Sequence, residues 1–418
     1  MRRETFRPLL VLLLFALFPL PALSQEDEAK SEGQPMSDRD PALILKVNNA
    51  VQAGLEWLEK RQGPDGEWKC AWDGREPPGR LPAAETALAL LALMTGGLPS
   101  NCEIIWKGFT WLRMQPLLST MEAALILMAL EAKVRGTGRP PRMENPDKDW
   151  MRQCVECLLR YRASSGRLLG ATPDEARKVQ DIWAAPWKLP DHANTFWALL
   201  GLRSAAHCGI EVPREVWISA LDHFLEAQER KGPRVLRVRM VEDREHGYVS
   251  YKLAARRPDV ARGWCAGASL LPKDDSTDGP DAVSGGMTCA GISGIAICLS
   301  ELGRKCPLFF EMFGKMALRD GIAWLTYNLN STIGRNPIRT ERTGLFFYMY
   351  GLQCAGILTS QRNFNQHDWY RQGAEFLFGK QKPDGSWDDE TSPGPVTNTC
   401  FALLFLTRST APGRVILK

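Results

Sequence analysis

The chain has 418 residues, 44% of them hydrophobic, and 52 Lys and Arg stand against 48 Asp and Glu for a formal net charge of +4. A chain of this length can bury a sizeable core, and so even a charge balance offers no footprint for nucleic acid. Eleven cysteines without tight spacing exclude a dense disulfide framework, and the odd number leaves at least one thiol unpaired or paired between chains.

Arg2, Arg3 and Arg7 precede an apolar run from Leu9 to Leu20 that ends in Ala22-Leu23-Ser24. This is the pattern of a secretory signal peptide over residues 1–24, and the run falls short of the ~20 residues of a spanning helix. The expectation is an exported protein, periplasmic or secreted, that does not span a membrane once the signal is removed. Residues 25–42 are polar, with too little apolar surface to order themselves, and read as a disordered linker.

From residue 43 to about 410 the chain is a repeat. GLEWLEKRQGPDGEW at 54–68 aligns without gaps on GAEFLFGKQKPDGSW at 373–387, and each copy leads into an apolar helix. One-faced, amphipathic helices are expected at 43–62, 103–115, 150–161, 216–228, 316–329 and 369–381. In the second of these Ile104, Ile105, Gly108, Trp111 and Leu112 form the apolar face. Each is followed by a helix apolar nearly all round, at 84–95, 121–132, 193–206, 288–302, 343–357 and 398–408. The first kind suits an outer ring and the second an inner one. Closing the rings so that the last pair meets the first buries every apolar face and brings the two Pro-Asp-Gly turns close together. The rhythm breaks at an insertion, 230–287, where Arg234 to Met240 alternates apolar and basic residues and Gly247 to Tyr251 supplies the second arm of a β-hairpin. Residues 411–418 are a short tail.

The Gly-x-x-aromatic-Leu…Gln-x-Pro-Asp-Gly-x-Trp runs, with TALALLAL at 86–93 and TCFALLFL at 399–406, resemble the prenyltransferase and squalene-cyclase repeat family over about residues 43–408. That resemblance implies an all-α fold, the closed (α/α)6 toroid. It also implies where family chemistry would sit. Cyclases protonate an alkene with the middle Asp of D-x-D-D-T, and the nearest run here is Pro272-Lys273-Asp274-Asp275-Ser276-Thr277, which makes Asp274 and Asp275 the candidate acids. The run departs from the pattern at Pro272 and at the displaced Thr277, and Lys273 favours the ionised carboxylate. The zinc ligands of protein prenyltransferases correspond to Glu341-Arg342-Thr343 and Asn398-Thr399-Cys400, a set without the thiolate and imidazole that zinc prefers, so no metal or other cofactor is expected.

Independently of the resemblance, the inner-helix starts ring one mouth of a toroid. Glu85, Glu122, Asn194, Glu341 and Asn398 occupy nearly equivalent places there, as paired acids for glycan chemistry or as carboxylates drawn to helix N-termini. His192 stands beside them, with Asp191 or Asn194 free to cap its helix. Arg335, Arg339 and Arg342 offer an anion site or a solvated loop. Phe346, Phe347, Tyr348, Tyr350, Phe196 and Trp197, with Gly291, Gly294, Gly344 and Gly351, line an apolar axial cavity or fill the core. Cys154 and Cys157 have redox-motif spacing but fall inside a helix, where they read as small buried thiols. The functional expectation is binding without the family's usual catalysis: an apolar or isoprenoid-like ligand in the axis, with Phe346, His192, Asn194, Arg339, Arg342 and Asn398 about it, or an envelope protein at the rim. The alternatives are a divergent terpene cyclase using Asp274 and Asp275, and a glycan-active enzyme using Glu85, Glu122 or Glu341.

Overall fold

Helix starts along the chain are written in local chemistry. Asp40 caps the first helix, its Oδ1 accepting from the N–H groups of Ala42 and Leu43 at 3.0 and 3.2 Å, with Pro41 at the first helical position. Pro82 and Pro395 open later helices in the same way, and Ser284 and Asp368 cap two others. The computed structural model describes residues 40–69, 81–117, 119–135, 145–160, 192–236, 238–243, 248–253, 258–265, 283–329, 344–364, 367–388 and 394–408.

Among the described residues there are twelve α-helices: α1 (Pro41–Glu59), α2 (Pro82–Gly96), α3 (Glu103–Arg113), α4 (Thr120–Arg135), α5 (Asn145–Arg160), α6 (His192–His207), α7 (Arg214–Ala227), α8 (Gly285–Leu302), α9 (Leu308–Asn328), α10 (Leu345–Leu358), α11 (Trp369–Lys380) and α12 (Pro395–Leu406). The even-numbered helices pack in the order α2, α4, α6, α8, α10, α12 and back to α2, a closed inner ring. The odd-numbered helices lie outside: α1 rests on α2 and α12, α5 on α4 and α6, α11 on α10 and α12. This is the (α/α)6 toroid, with all six expected pairs present. Burial follows the division. In α2 every residue from Ala83 to Leu93 is buried except Glu85, whereas α3 buries Ile105, Gly108, Phe109 and Leu112 and leaves Trp106 exposed. Helix α8 is long and apolar enough to cross a membrane, but 78% of that stretch is buried inside the ring.

Two boundaries differ from expectation by more than one turn. Helix α9 begins at Leu308, two turns ahead of the expected start, and α5 begins at Asn145. The insertion holds the anticipated hairpin, with β2 (Val238–Asp243) antiparallel to β3 (Tyr248–Leu253) in a register pairing Val238 with Leu253. The short β1 (Arg234–Val235) and β4 (Asp259–Val260) pair at its base. A further small ladder, β5 (Asn363–Phe364) with β6 (His367–Asp368), was not anticipated.

The repeated turn docks α1 onto α3 and α11 onto α1. Gly66 and Gly385 take φ of +103° and +94°, in the left-handed region that favours glycine, and a Cβ on either would collide with a backbone carbonyl of the next outer helix, Lys107 O or Ala53 O. Gln62 Nε2 donates to Gly66 O at 3.1 Å and to Ile104 O of α3 at 2.9 Å; Gln381 Nε2 donates to Gly385 O at 3.0 Å and to Ala50 O of α1 at 2.9 Å. Trp68 and Trp387 are fully buried. Their Nε1 atoms donate to Leu58 O and Leu377 O, both at 2.8 Å, and their backbone N–H groups to Thr86 and Thr399 Oγ1. Trp68 seats against Gly108 and Trp387 against Gly54, the glycine of the repeated sequence. At the closure Trp57 Nε1 also donates to Asp384 Oδ2 at 3.1 Å, and Arg371 pairs with Asp40 at 2.9 Å.

A third copy of this turn is hidden by the insertion. Gln228 Nε2 donates to Arg262 O and to Ala317 O of α9, both at 3.0 Å, Trp264 Nε1 donates to Phe224 O at 2.8 Å, and Trp264 N donates to Thr288 Oγ1 at 3.3 Å. Trp264 seats against Gly321 and Gly291. Here residues 230–262 stand where Pro-Asp-Gly stands in the other two copies. Asp320 holds the returning strand, accepting from Val260 N and from the Arg262 guanidinium.

Candidate functional site

Thr86, Thr288 and Thr399 each accept from the tryptophan of their own turn, so they mark one level on α2, α8 and α12. The apolar pattern that follows puts Ala123 of α4 and Thr195 of α6 at the same level. The residues just before these positions form the mouth. In ring order α12, α2, α4 and α6 contribute Asn398, Glu85, Glu122 and Asn194, while α8 contributes Met287 and α10 starts at Gly344 and Leu345. Among the described residues the polar positions of the mouth therefore fall on four consecutive helices.

Within the arc the side chains differ in how they are held. Glu122 is 1% exposed; its N–H donates to Ser119 Oγ at 3.2 Å and its Oε2 accepts from that hydroxyl at 3.3 Å, a reciprocal cap that by itself explains a carboxylate there. Glu85 is half-buried in the first turn of α2. Asn194 is buried, and so is Asn398, whose Nδ2 donates to Asp388 Oδ1 at 3.4 Å while its Oδ1 has no hydrogen-bond partner among the described residues.

His192, 2% exposed, closes the arc at α6. Its Nδ1–H donates to the Cys265 carbonyl at 2.8 Å, which fixes the tautomer because a carbonyl only accepts. Its ring stacks on His223 of α7 with centroids 4.9 Å apart. Cys265 bridges to Val283, so His192 grips the root of the segment that leaves at Cys265 and returns at Val283. Asp274 and Asp275 belong to that segment and lie outside the described residues, as do Glu341, Arg335, Arg339 and Arg342.

The axis beneath the mouth is occupied by side chains. Trp197 of α6 stacks on Tyr350 of α10 at 5.8 Å and reaches Phe401 of α12 at 6.3 Å, across the full ring, with Phe347 6.0 Å from both Trp197 and Phe401. All four are at most 4% exposed. The expected apolar cavity is at this level a plug of rings packed on one another. Phe346 is buried, but no ring contact joins it to the plug among the described residues. The glycines assigned to the cavity serve helix packing instead: Gly291 faces Trp264, Gly294 faces Phe224 and Gly351 faces Cys289.

At the far end of the ring lies a cluster that the sequence reading missed, because its members come from three helices. Glu131 of α4 is 1% exposed; its Oε1 accepts from Arg135 Nη2 at 2.6 Å and faces His207 Nδ1 of α6 at 3.2 Å. His207 Nε2 lies 3.6 Å from Glu301 of α8, which Arg203 approaches to 3.9 Å. Hydrogen bonding to Glu131, then to Glu301, lifts His207 to a pKa of about 9 against the opposing effect of burial, so the imidazole is cationic at neutral pH. Elsewhere Cys154 and Cys157 are buried in α5, and burial pushes the Cys154 thiol far up, as it pushes Cys354 to about 12. These are packing thiols rather than nucleophiles.

No family model and no curated protein sequence matches this chain. Among solved structures, a variant of the type II terpene cyclase MstE from Scytonema, in complex with geranylgeranyl dihydroxybenzoate, superposes with a TM-score of 0.50 at 11% identity, over 88% of this chain and 98% of that one. An inactive α-1,6-mannanase of Salegentibacter sp. HEL1_6, in complex with α-1,6-mannotriose, superposes with a TM-score of 0.51 at 8% identity, over 87% and 99%. At such identities these likenesses establish the fold the chain shares with them, the α/α toroid.

Proposed function

We propose that the chain is an exported toroid of the prenyltransferase and squalene-cyclase repeat type that binds a hydroxylated, glycan-like ligand at the polar arc of its mouth. The observation that carries this reading is the run of polar side chains at the starts of neighbouring inner helices. Amide, carboxylate, carboxylate and amide on four consecutive helices supply the mixed donors and acceptors that hydroxyl groups require, and the axis an isoprenoid would need is taken up by Trp197, Phe347, Tyr350 and Phe401. Asn398, with a buried amide oxygen lacking a partner among the described residues, is the group most in need of a donor. The competing cyclase reading draws on Asp274 and Asp275, whose segment is rooted beside His192.

Thermal denaturation with two probes separates the readings. α-1,6-Mannotriose is expected to raise the melting temperature of the wild-type chain in a concentration-dependent way, and Asn398→Ala and Glu85→Gln are expected to remove that shift. A shift with geranylgeraniol and none with mannotriose would move the assignment to an isoprenoid site. No shift with either probe would refute the arc as a small-ligand site and return the rim to a protein partner.

A further inference from the structure

The two turns by which α9 starts early carry side chains that the core does not use. Leu308, Phe309 and Met312 are 79%, 58% and 56% exposed, at positions i, i+1 and i+4 of one helix face, and Phe309 leans on Phe313 with centroids 4.6 Å apart. The inward side of the same helix is fully engaged, with Gly314 seated against Leu299 and Ala317 buried. A cluster of large apolar side chains on a convex helix tip is uncommon on a soluble surface and marks an interaction site. Ile44 and Leu45, also exposed, lie in the first turns of α1 and hence on the same end of the toroid, where outer helices begin and inner helices end.

The charge beside the tip is basic. Arg304 and Lys305 are exposed in the 3-10 turn just before α9 and form no ion pair among the described residues, and Arg214 Nη2 donates to Lys305 O at 2.5 Å, which fixes that turn. Lys315 is exposed one turn beyond Glu311, with which it pairs. We infer that this tip docks on an anionic lipid surface: Leu308, Phe309 and Met312 enter the headgroup boundary, and Arg304 and Lys305 meet the lipid phosphates. Apolar tips with a basic collar are the chemistry of interfacial binding, in which insertion and electrostatic attraction add. A second copy of the chain would bring the same cations against each other, which disfavours self-association.

The test is co-sedimentation of the purified full chain with phosphatidylglycerol vesicles and with phosphatidylcholine vesicles. The wild-type chain is expected to pellet with phosphatidylglycerol and to release as salt rises. The triple variant Leu308→Ser, Phe309→Ser, Met312→Ser should bind about tenfold less or weaker still, with its melting temperature unchanged because the replaced groups are exposed. Arg304→Glu with Lys305→Glu should weaken binding to phosphatidylglycerol while leaving the weak phosphatidylcholine binding as it was. Pelleting of the triple variant equal to wild type, or no pelleting of the wild type with either vesicle, overturns the inference. So does light scattering that finds a wild-type dimer converted to monomer by the triple variant, since the face then belongs to a second copy.

Discussion

The closing turn at 382–387 and the interrupted turn formed by Gln228 and 262–264 make the same contacts from different lengths of chain. In both, a glutamine binds the carbonyl of its own turn and one on the next outer helix, a buried tryptophan caps its own helix, and a threonine on the inner helix receives the tryptophan N–H. Even the ladder is conserved, with Lys382 N donating to Ser386 O at 2.8 Å and Glu229 N to Gly263 O at 3.1 Å. What differs is the filler. Residues 383–385 close one loop in the shortest way a positive φ allows, and residues 230–262 close the other. The unit is thus defined by the Gln, Trp and Thr side chains, and Pro-Asp-Gly is one way of joining them.

If the equivalence is physical, the two tryptophans carry equal weight. Trp387→Ala and Trp264→Ala are each expected to cost about 3–5 kcal/mol, through a cavity in a fully packed layer and an unpaired carbonyl. Equilibrium urea unfolding measures both. A Trp264→Ala penalty below half that of Trp387→Ala would show that the insertion has taken over the load, and the comparison would fail.

Glycine substitutions test the docking onto the next helix. Gly97 ends α2 at φ +114° with open space around it, so Gly97→Ala meets only left-handed strain, about 1 kcal/mol. Gly385→Ala meets that strain and the Ala53 carbonyl as well, and the expected loss is about 2–4 kcal/mol. Equal losses in urea unfolding would mean that α1 yields freely and that the ring is not sealed there. Next in size are Gln228→Ala and Gln381→Ala. Each removes one amide from two carbonyls, one in its own turn and one on the next outer helix, for about 1–3 kcal/mol, and the comparison requires the two values to agree.

Sequence reading saw the turn twice and missed it the third time for a physical reason. A pattern of adjacent letters records chain closure, while the contacts that define the unit lie between residues whose separation the insertion can stretch without altering their geometry. The twelve helices were legible because burial on one face or all faces leaves a period in the apolar residues. The polar arc was legible at Glu85, Glu122, Asn194 and Asn398 because helix starts are marked by caps and prolines. The aromatic plug was half legible: Trp197, Phe347 and Tyr350 stood out as inner-helix aromatics, but which of them point at the axis depends on helix rotation, and Phe401 was passed over. His207 could not be found, since Glu131, His207 and Glu301 sit on different helices and nothing in their local sequence refers to one another.

That cluster gives the smallest effect and the one most particular to the inner ring. The folded-state pKa of His207, about 9, lies above its ordinary 6.5, so the cation contributes stability that is complete below about pH 6.5 and is lost as pH rises through about 9. The groups facing it are the carboxylates of Glu131 and Glu301 and, opposing them, the guanidinium of Arg135, whose Nη2 lies 3.3 Å from His207 Nδ1, with Arg203 beside Glu301. His207 is 27% exposed, so screening holds the contribution to no more than about 1 kcal/mol. Unfolding free energies taken across this window should decline in the wild-type chain, and the decline should be missing in His207→Gln, which keeps a hydrogen-bonding amide but cannot titrate. The same decline should persist in Trp387→Ala, whose damage lies at α11 and α12, away from α4, α6 and α8. Loss of the pH dependence in Trp387→Ala would show that opening the closure disorders the whole inner ring, and the turns would then act on one cooperative unit rather than on their own neighbours.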